Sequence, residues 1–253
     1  MTGPEQSKTA TIEMLRRRIA TMSARPGPPP READTGPTAC PPIPAPTSAG
    51  LARDTLSVPA PVAELLPHHG LARGSTVHLT GASSMHAGLV ASVTRSGCWA
   101  AVVGRPQFGV LATVEMGADL KRCAFCDAGP DPVTVAATLV EGIDLVVLDL
   151  GGADIPPTRA RAVTARARQH GAVLAVTNGR WPAIDVHLDA QIAGYTRVPG
   201  RRGRVTGITL DITATARGRQ ARRARVDLTS THSDVDWQVA ATSPASGVVE
   251  AAQ

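Results

Sequence analysis

Only two lysines, Lys8 and Lys121, occur in 253 residues, although arginine brings the basic total to 26 against 21 acidic residues. So strong an arginine bias is the mark of a GC-rich genome and weakens a functional reading of any single arginine. Aromatic residues make up 2%, so the apolar volume must come from Ala, Val, Leu and Ile. The four cysteines do not make a disulfide framework. Charged residues, at 19%, fall below the usual share of about 25%. No apolar run approaches the roughly 20 residues that span a bilayer, and residues 1–10 are polar, with no signal-peptide core. These absences argue against a membrane protein, against a membrane partner and against a small secreted scaffold, and the expected location is the cytoplasm.

The 43% of hydrophobic residues excludes wholesale disorder and leaves room for one large domain or two small ones. The net charge of +5 permits a polyanionic partner without requiring one. Cys123 and Cys126 form a lone C-x-x-C. A structural zinc site needs four ligands, usually from two such pairs, and Cys40 and Cys98 stand apart. A thioredoxin-like pair would open a helix, whereas this one falls in an apolar strand candidate. Ordinary buried thiols are the expectation.

Residues 9–22 read as a short helix. Ile12, Leu15, Ile19 and Met22 recur at spacings of three and four and share one face, while Arg16, Arg17 and Arg18 cover the others. So short a helix is marginal alone in water, and its stripe needs the parent core, a second copy or a partner to dock on. Of the 21 prolines, 13 lie in the first 67 residues. Pro28-Pro29-Pro30 and Pro41-Pro42 fit neither a helix interior nor a central strand. The division expected is an amphipathic helix at 1–24, a disordered Pro-rich linker at 25–56, a folded domain at 57–230 and a flexible tail at 231–253.

Within the domain, strands and helices alternate. Strands are expected at 75–79, 98–103, 122–125, 144–150 and 172–176. Helices are expected at 89–96, 110–116, 132–140 and 157–170, with Gly97, Gly117, Gly142 and Gly171 at their ends. Near-continuous apolar runs such as Leu145-Val146-Val147-Leu148 belong to strands buried on both faces. The alternation predicts an α/β fold, a mostly parallel sheet flanked by helices. Segments 185–192, 204–213 and 219–228 then follow without helices. The last two flank Ala216-Arg217-Gly218 as a hairpin, giving carboxyl-terminal antiparallel strands.

A glycine-rich stretch, Gly81 to Gly88, falls between the strand and helix candidates where a phosphate-binding loop would lie. Against the pattern G-x-x-x-x-G-K-[ST], Gly81 fits the first glycine. His86 replaces the second glycine, Ala87 the lysine and Gly88 the hydroxyl residue. A side chain at His86 restricts the backbone that would ring a phosphate with N–H groups. Ala87 brings no positive charge, and Gly88 offers no oxygen to Mg²⁺. Asp149 ends an apolar strand as a Walker-B aspartate would, and reads here as a remnant or a structural acceptor. No catalytic constellation and no bound cofactor is expected.

This order of elements resembles the RecA ATPase core, as does the approach Glu64-Leu65-Leu66-Pro67-His68-His69-Gly70-Leu71-Ala72-Arg73-Gly74. More narrowly, the chain resembles the actinobacterial ImuA-prime proteins, accessory factors of the damage-induced mutasome. The residues carrying that likeness are Ile12-Glu13-Met14-Leu15-Arg16-Arg17-Arg18-Ile19, the altered loop after Leu79-Thr80-Gly81, Trp99 to Gly104, Gly142 to Leu148 and Ala165 to Leu174. The resemblance implies a non-catalytic adaptor in SOS-induced mutagenic translesion synthesis; the alternative is a divergent RecA-like protein that depends on nucleotide, through Asp149 and the stretch near Gly81, or binds DNA. Its implied partners are a Y-family-like polymerase homologue and, through it, an error-prone C-family polymerase, with the carboxyl-terminal region making the first contact. It also places the RecA catalytic glutamate at or near Arg105 and a polar sensor near Asn178. The long DNA-binding loop that follows in RecA proteins is here cut to about residues 178–183.

Arg201, Arg202 and Arg204 precede one carboxyl-terminal strand, and Arg219, Arg222, Arg223 and Arg225 line the hairpin. They are candidate DNA-backbone contacts, or else a solvated hairpin in an arginine-rich chain. Tyr195 alone does not make a base-stacking platform. Trp237, isolated in a thin tail, is either an anchor for a partner's pocket or a side chain docked on its own domain. The stripe Ile12, Leu15, Ile19 and Met22 is the other candidate partner surface, for self-association or for the polymerase homologue.

Overall fold

A computed structural model describes residues 54–104, 108–197, 205–231 and 234–240. The candidate helix at 9–22, most of the linker, Arg105 and the arginines at 201, 202 and 204 lie outside the described residues. The order is β1 (Thr55–Leu56), α1 (Ala60–Ala63), β2 (Leu71–Ala72), β3 (Thr76–Gly81), α2 (Ser83–Arg95), β4 (Ala100–Val103) and α3 (Val110–Glu115). A 3₁₀ turn, Leu120–Arg122, leads into β5 (Cys123–Cys126), α4 (Pro132–Leu139), β6 (Leu145–Asp149), α5 (Pro157–His170) and β7 (Val173–Thr177). Four strands then follow with no helix between them among the described residues: β8 (Val186–Arg197), β9 (Val205–Ala216), β10 (Arg222–Thr231) and β11 (Asp234–Val239).

Nine of these strands form one sheet in the order β11-β10-β9-β8-β3-β7-β6-β4-β5. From β8 to β5 all neighbours run parallel. From β8 outward through β9, β10 and β11 they are antiparallel. The α/β class, the parallel core and the antiparallel carboxyl-terminal strands are therefore as the sequence predicts. Two boundaries move. β1 pairs with β2, so the folded domain begins inside what reads as linker. β11 pairs with β10 over six residues, so part of the expected tail is a strand.

The apolar runs are strands because both their faces are covered. Ala100, Ala101, Val102 and Val103 are buried, as are Leu145 to Leu148 and Val173 to Val176. One face packs under α4 and α5, with Val133, Ala136, Ala160, Val163 and Trp181 closing the layer. The other packs under α1 and α2, with Val62, Met85, Leu89 and Val93. In α5 the buried residues are Ala160, Val163, Thr164 and Ala167, at i, i+3, i+4 and i+7. The arginines of that helix occupy the remaining, solvated faces. Pro157 opens α5, and Gly171, at φ +67°, closes it in the left-handed conformation. Fully burying one leucine such as Leu145 or Leu174 contributes about 2 kcal/mol.

The amino ends of the strands are stitched by Asp144. Arg73 Nη1 donates to its Oδ1 at 2.7 Å, and the Trp99 amide donates to its Oδ2 at 2.8 Å. The Val173 amide donates to its backbone carbonyl at 2.8 Å. Asp185 makes a second stitch by accepting from the Thr76 amide at 2.9 Å, with Arg168 alongside. These carboxylates hold the strand ends in register.

Asp131 caps α4. Its carboxylate accepts from the Thr134 amide at 3.2 Å and the Thr134 hydroxyl at 2.7 Å, with Arg159 alongside. The Thr134 hydroxyl, foremost, and the Arg159 guanidinium hold its pKa down at about 2. A lowered folded-state pKa means the stabilisation is complete above the ordinary carboxylate range and fades as pH falls through about 2. Titration of the Asp131 carboxyl by NMR should therefore show a midpoint near 2. The Asp131→Asn variant should show a shallower loss of stability between pH 4 and 2, and an unchanged acid limb would refute the linkage.

Candidate functional site at the carboxyl ends of the parallel strands

The glycine-rich stretch is not a loop. β3 ends at Gly81, Ala82 is the cap residue and α2 begins at Ser83. A phosphate loop needs several residues between strand and helix to curl its amides around an anion, and here there is one. Gly81 sits at φ +85°, and a Cβ there would collide with the Ala190 carbonyl of β8. The Ala82 amide donates to that same carbonyl at 2.7 Å. Gly81 is thus explained by the close approach of β8.

The residues standing at the positions of a phosphate loop's later members all lie inside α2 and are buried. His86 is 1% exposed, and its Nε2 lies 3.1 Å from the Thr177 hydroxyl at the end of β7. Ala87 packs into the apolar layer below the helix. A Cβ on Gly88 would overlap the indole ring of Trp237 from β11. Small volume at 88 leaves room for the indole of a carboxyl-terminal tryptophan. The candidate loop and the candidate anchor are two sides of one internal contact, and Trp237 is half-buried against its own domain.

Asp149 ends β6 as expected. Its Oδ1 accepts from the Gly151 amide at 2.8 Å and from Asn178 Nδ2 at 3.1 Å. Asn178 holds φ +50°, and its carbonyl accepts from the Gly152 amide at 2.6 Å. Asp154 and Arg180 form a backbone bridge beyond them. The turns after β6 and β7 therefore pair with each other across the sheet edge, and Asp149 shapes that pairing. The short 178–183 connection is what allows it.

The hairpin arginines do not form one cationic patch. Arg225 donates to both oxygens of Asp211, at 2.7 and 2.8 Å. That pairing lowers the Asp211 pKa and raises that of Arg225. Asp227 accepts from Thr209 at 2.6 Å on the same face. Arg223 shares this face, whereas Arg222 falls on the opposite one with Val226 and Leu228, because strand side chains alternate. Arg219 lies in the exposed turn. Farther along this face His78 and His187 meet edge to face, Nδ1 to Nδ1 at 3.3 Å. Burial, then the neighbouring His78, lowers the His187 pKa.

A surface feature that sequence reading missed lies at the other margin. Leu111 is 71% exposed on α3, beside exposed Val110 and Val114, and Phe125 is exposed on edge strand β5. Phe108 packs 5.7 Å from Phe125, and both line an apolar cleft of about 410 Å³. Only the unbroken apolar tone of Val110-Leu111-Ala112 hinted at it, because a six-residue helix has too few turns to show which side stays wet. Cys123 and Cys126 lie three apart on β5, so their side chains point to opposite faces. They are not placed as a chelating pair, and burial raises the Cys123 pKa. Among the described residues no group of three or more His, Cys, Asp or Glu converges. Among them, also, no helix is long and apolar enough to cross a membrane.

Fold and site define a mixed α/β protein whose parallel-sheet carboxyl edge is closed by strand-to-helix and turn-to-turn packing. Residues 64–183 match the MT3502 N-terminal domain family. The chain is 41% identical over 214 residues to the uncharacterized protein Rv3395c of Mycobacterium tuberculosis, covering 81% of this chain and 92% of that one. It belongs to that family.

The Gly88–Trp237 contact predicts a change of sign. Gly88→Ala should destabilise the native protein by about 1–3 kcal/mol through overpacking. In a Trp237→Ala background the same change should stabilise by up to about 1 kcal/mol, because alanine is the better helix former. Urea denaturation of the four variants measures both, and equal effects in the two backgrounds would disprove the contact.

Proposed function

We propose that this protein is a non-catalytic, RecA-like adaptor in SOS-induced mutagenic translesion synthesis. It would work through contacts with a Y-family-like polymerase homologue and, through it, an error-prone C-family polymerase. The observation that carries the reading is the single residue between β3 and α2. With the helix started at Ser83, the Ala82 amide is held by the Ala190 carbonyl and the Met85 amide by the Ala82 carbonyl, and the lysine and hydroxyl positions are occupied by Ala87 and Gly88. The parallel core with its antiparallel extension supports descent from a RecA-type scaffold. The exposed apolar residues of α3 and β5 give such a molecule a surface for protein contacts.

Equilibrium dialysis with millimolar Mg²⁺·ATP should show no saturable binding, and turnover should not exceed background. A seated, magnesium-dependent nucleotide would overturn the reading. Affinity capture from damage-treated cells should retain a polymerase homologue. Replacing Leu15 and Ile19 with Asp should abolish either that capture or self-association. If both survive, the amino-terminal stripe is not an interface.

A second reading is direct DNA contact through the exposed Arg219, Arg222 and Arg223. It predicts an affinity that falls steeply with salt and a salt slope reduced by roughly one for each arginine replaced by Ala. The Asp211 and Asp227 carboxylates on the Arg223 face weigh against it.

A further inference from the structure

Among the described residues β11 is the last strand of the sheet, and none of them pairs with its outer edge. The Ala240 amide donates to the Arg225 carbonyl at 2.8 Å, which fixes the hydrogen-bonding phase of the ladder. In an antiparallel pair the bonded residues alternate, so 240, 238, 236 and 234 point their backbone groups at β10. Val235, Trp237 and Val239 point theirs away from it. The side chains of those same three residues share the face that carries Leu228 and Val226. Val235 and Trp237 are half-buried on the core, but Val239 is 63% exposed. A cleft of about 440 Å³ runs beside them, lined by Val58, Pro59, Ser92, Asp236 and Trp237 among others. An edge that combines outward amides with an apolar stripe is a template for another strand.

We propose that the strand it takes is β11 of a second copy, paired antiparallel about a two-fold axis at Trp237. The register follows from charge and phase. With the axis at Trp237, Val235 faces Val239 of the second copy and Trp237 faces its equivalent. All of these present outward backbone groups, so each pair can exchange two N–H···O=C bonds. On the opposite face Asp236 then lies against Gln238 of the second copy. That amide already donates to Asp236 within one chain, at 3.2 Å, and can do so across the axis. Moving the axis one residue back, to Asp236, sets two carboxylates directly opposite each other, which like charges disfavour. The two-fold at Trp237 buries Val239, matches acid with amide and leaves no like charges facing. It joins two nine-stranded sheets into one. One strand per copy is a small contact beside the roughly 800 Å² per partner of stable complexes, so the dimer is weak and concentration-dependent. The pairing uses neither the adaptor reading nor the amino-terminal stripe.

The test uses the full chain carrying Leu15→Asp and Ile19→Asp, which removes the amino-terminal route to association. Sedimentation velocity over a wide concentration range should show reversible dimerisation. Val239→Pro removes one outward amide, at an edge position where proline is tolerated, and should weaken association at least tenfold. Val239→Lys should do the same if the proline variant perturbs folding, and circular dichroism reports on the fold of both. Hydrogen exchange at the amides of 235, 237 and 239 should slow as concentration rises. A monomer at all concentrations, or a dimer indifferent to both substitutions, would overturn the proposal. So would protection of those amides that does not depend on concentration, because residues 241–253 of the same chain would then be the occupant.

Discussion

One carbonyl, that of Ala190, organises the carboxyl edge of this sheet. It accepts the amide of Ala82 and presses on Gly81, so β8 rides directly against the end of β3. The chain leaving β3 has no room to loop outward and enters a helix at once. Everything downstream inherits that placement. His86 faces Thr177, Ala87 enters the apolar layer, and Gly88 becomes the floor beneath Trp237. Against the phosphate-loop pattern, Ala87 and Gly88 are therefore more than two substitutions on an otherwise matching loop. Placing the lysine and the hydroxyl there would put a charge and a polar group into a packed helix face, at the desolvation cost of unpartnered buried groups.

The scarcity of aromatic residues has a structural counterpart. The layers between sheet and helices are filled mainly by Val, Leu and Ala, with hardly an aromatic ring among them. The three tryptophans each close a margin. Trp181 seals the layer below α5 and donates to Thr164 at 3.3 Å. Trp237 seals α2. Trp99 stands at the amino edge with the Arg122 guanidinium 5.7 Å from its ring centroid.

Much of the architecture could be read from the sequence because its signals are local. The apolar run Leu145 to Leu148, the proline and glycine that bracket α5, and the turn at Arg217-Gly218 each announce their element within a few residues. The glycine-rich stretch misled because Gly, Ser and Ala are as compatible with a tight helix start as with a loop. What decides between them is Ala190, over a hundred residues away. Trp237 was undecidable for the same reason, since its partner Gly88 is invisible in any local window. Asp149 was correctly placed at a strand end, but its bond to Asn178 depends on how two turns meet. The mixed charge of the hairpin emerges only once register puts Asp211 beside Arg225. At the amino-terminal margin, β1 was missed because two residues carry no periodicity.

The indole of Trp237 completes a helix that begins about 150 residues earlier, and β3 takes both its neighbours, β7 and β8, from the second half of the chain. A nascent polypeptide emerges from the ribosome amino end first. The Gly88 side of α2 and both edges of the central strand must therefore wait, uncovered, until those later segments emerge. A chain truncated before β11 would leave the Gly88 side of α2 without its indole cover, an obvious target for chaperones and quality-control proteases.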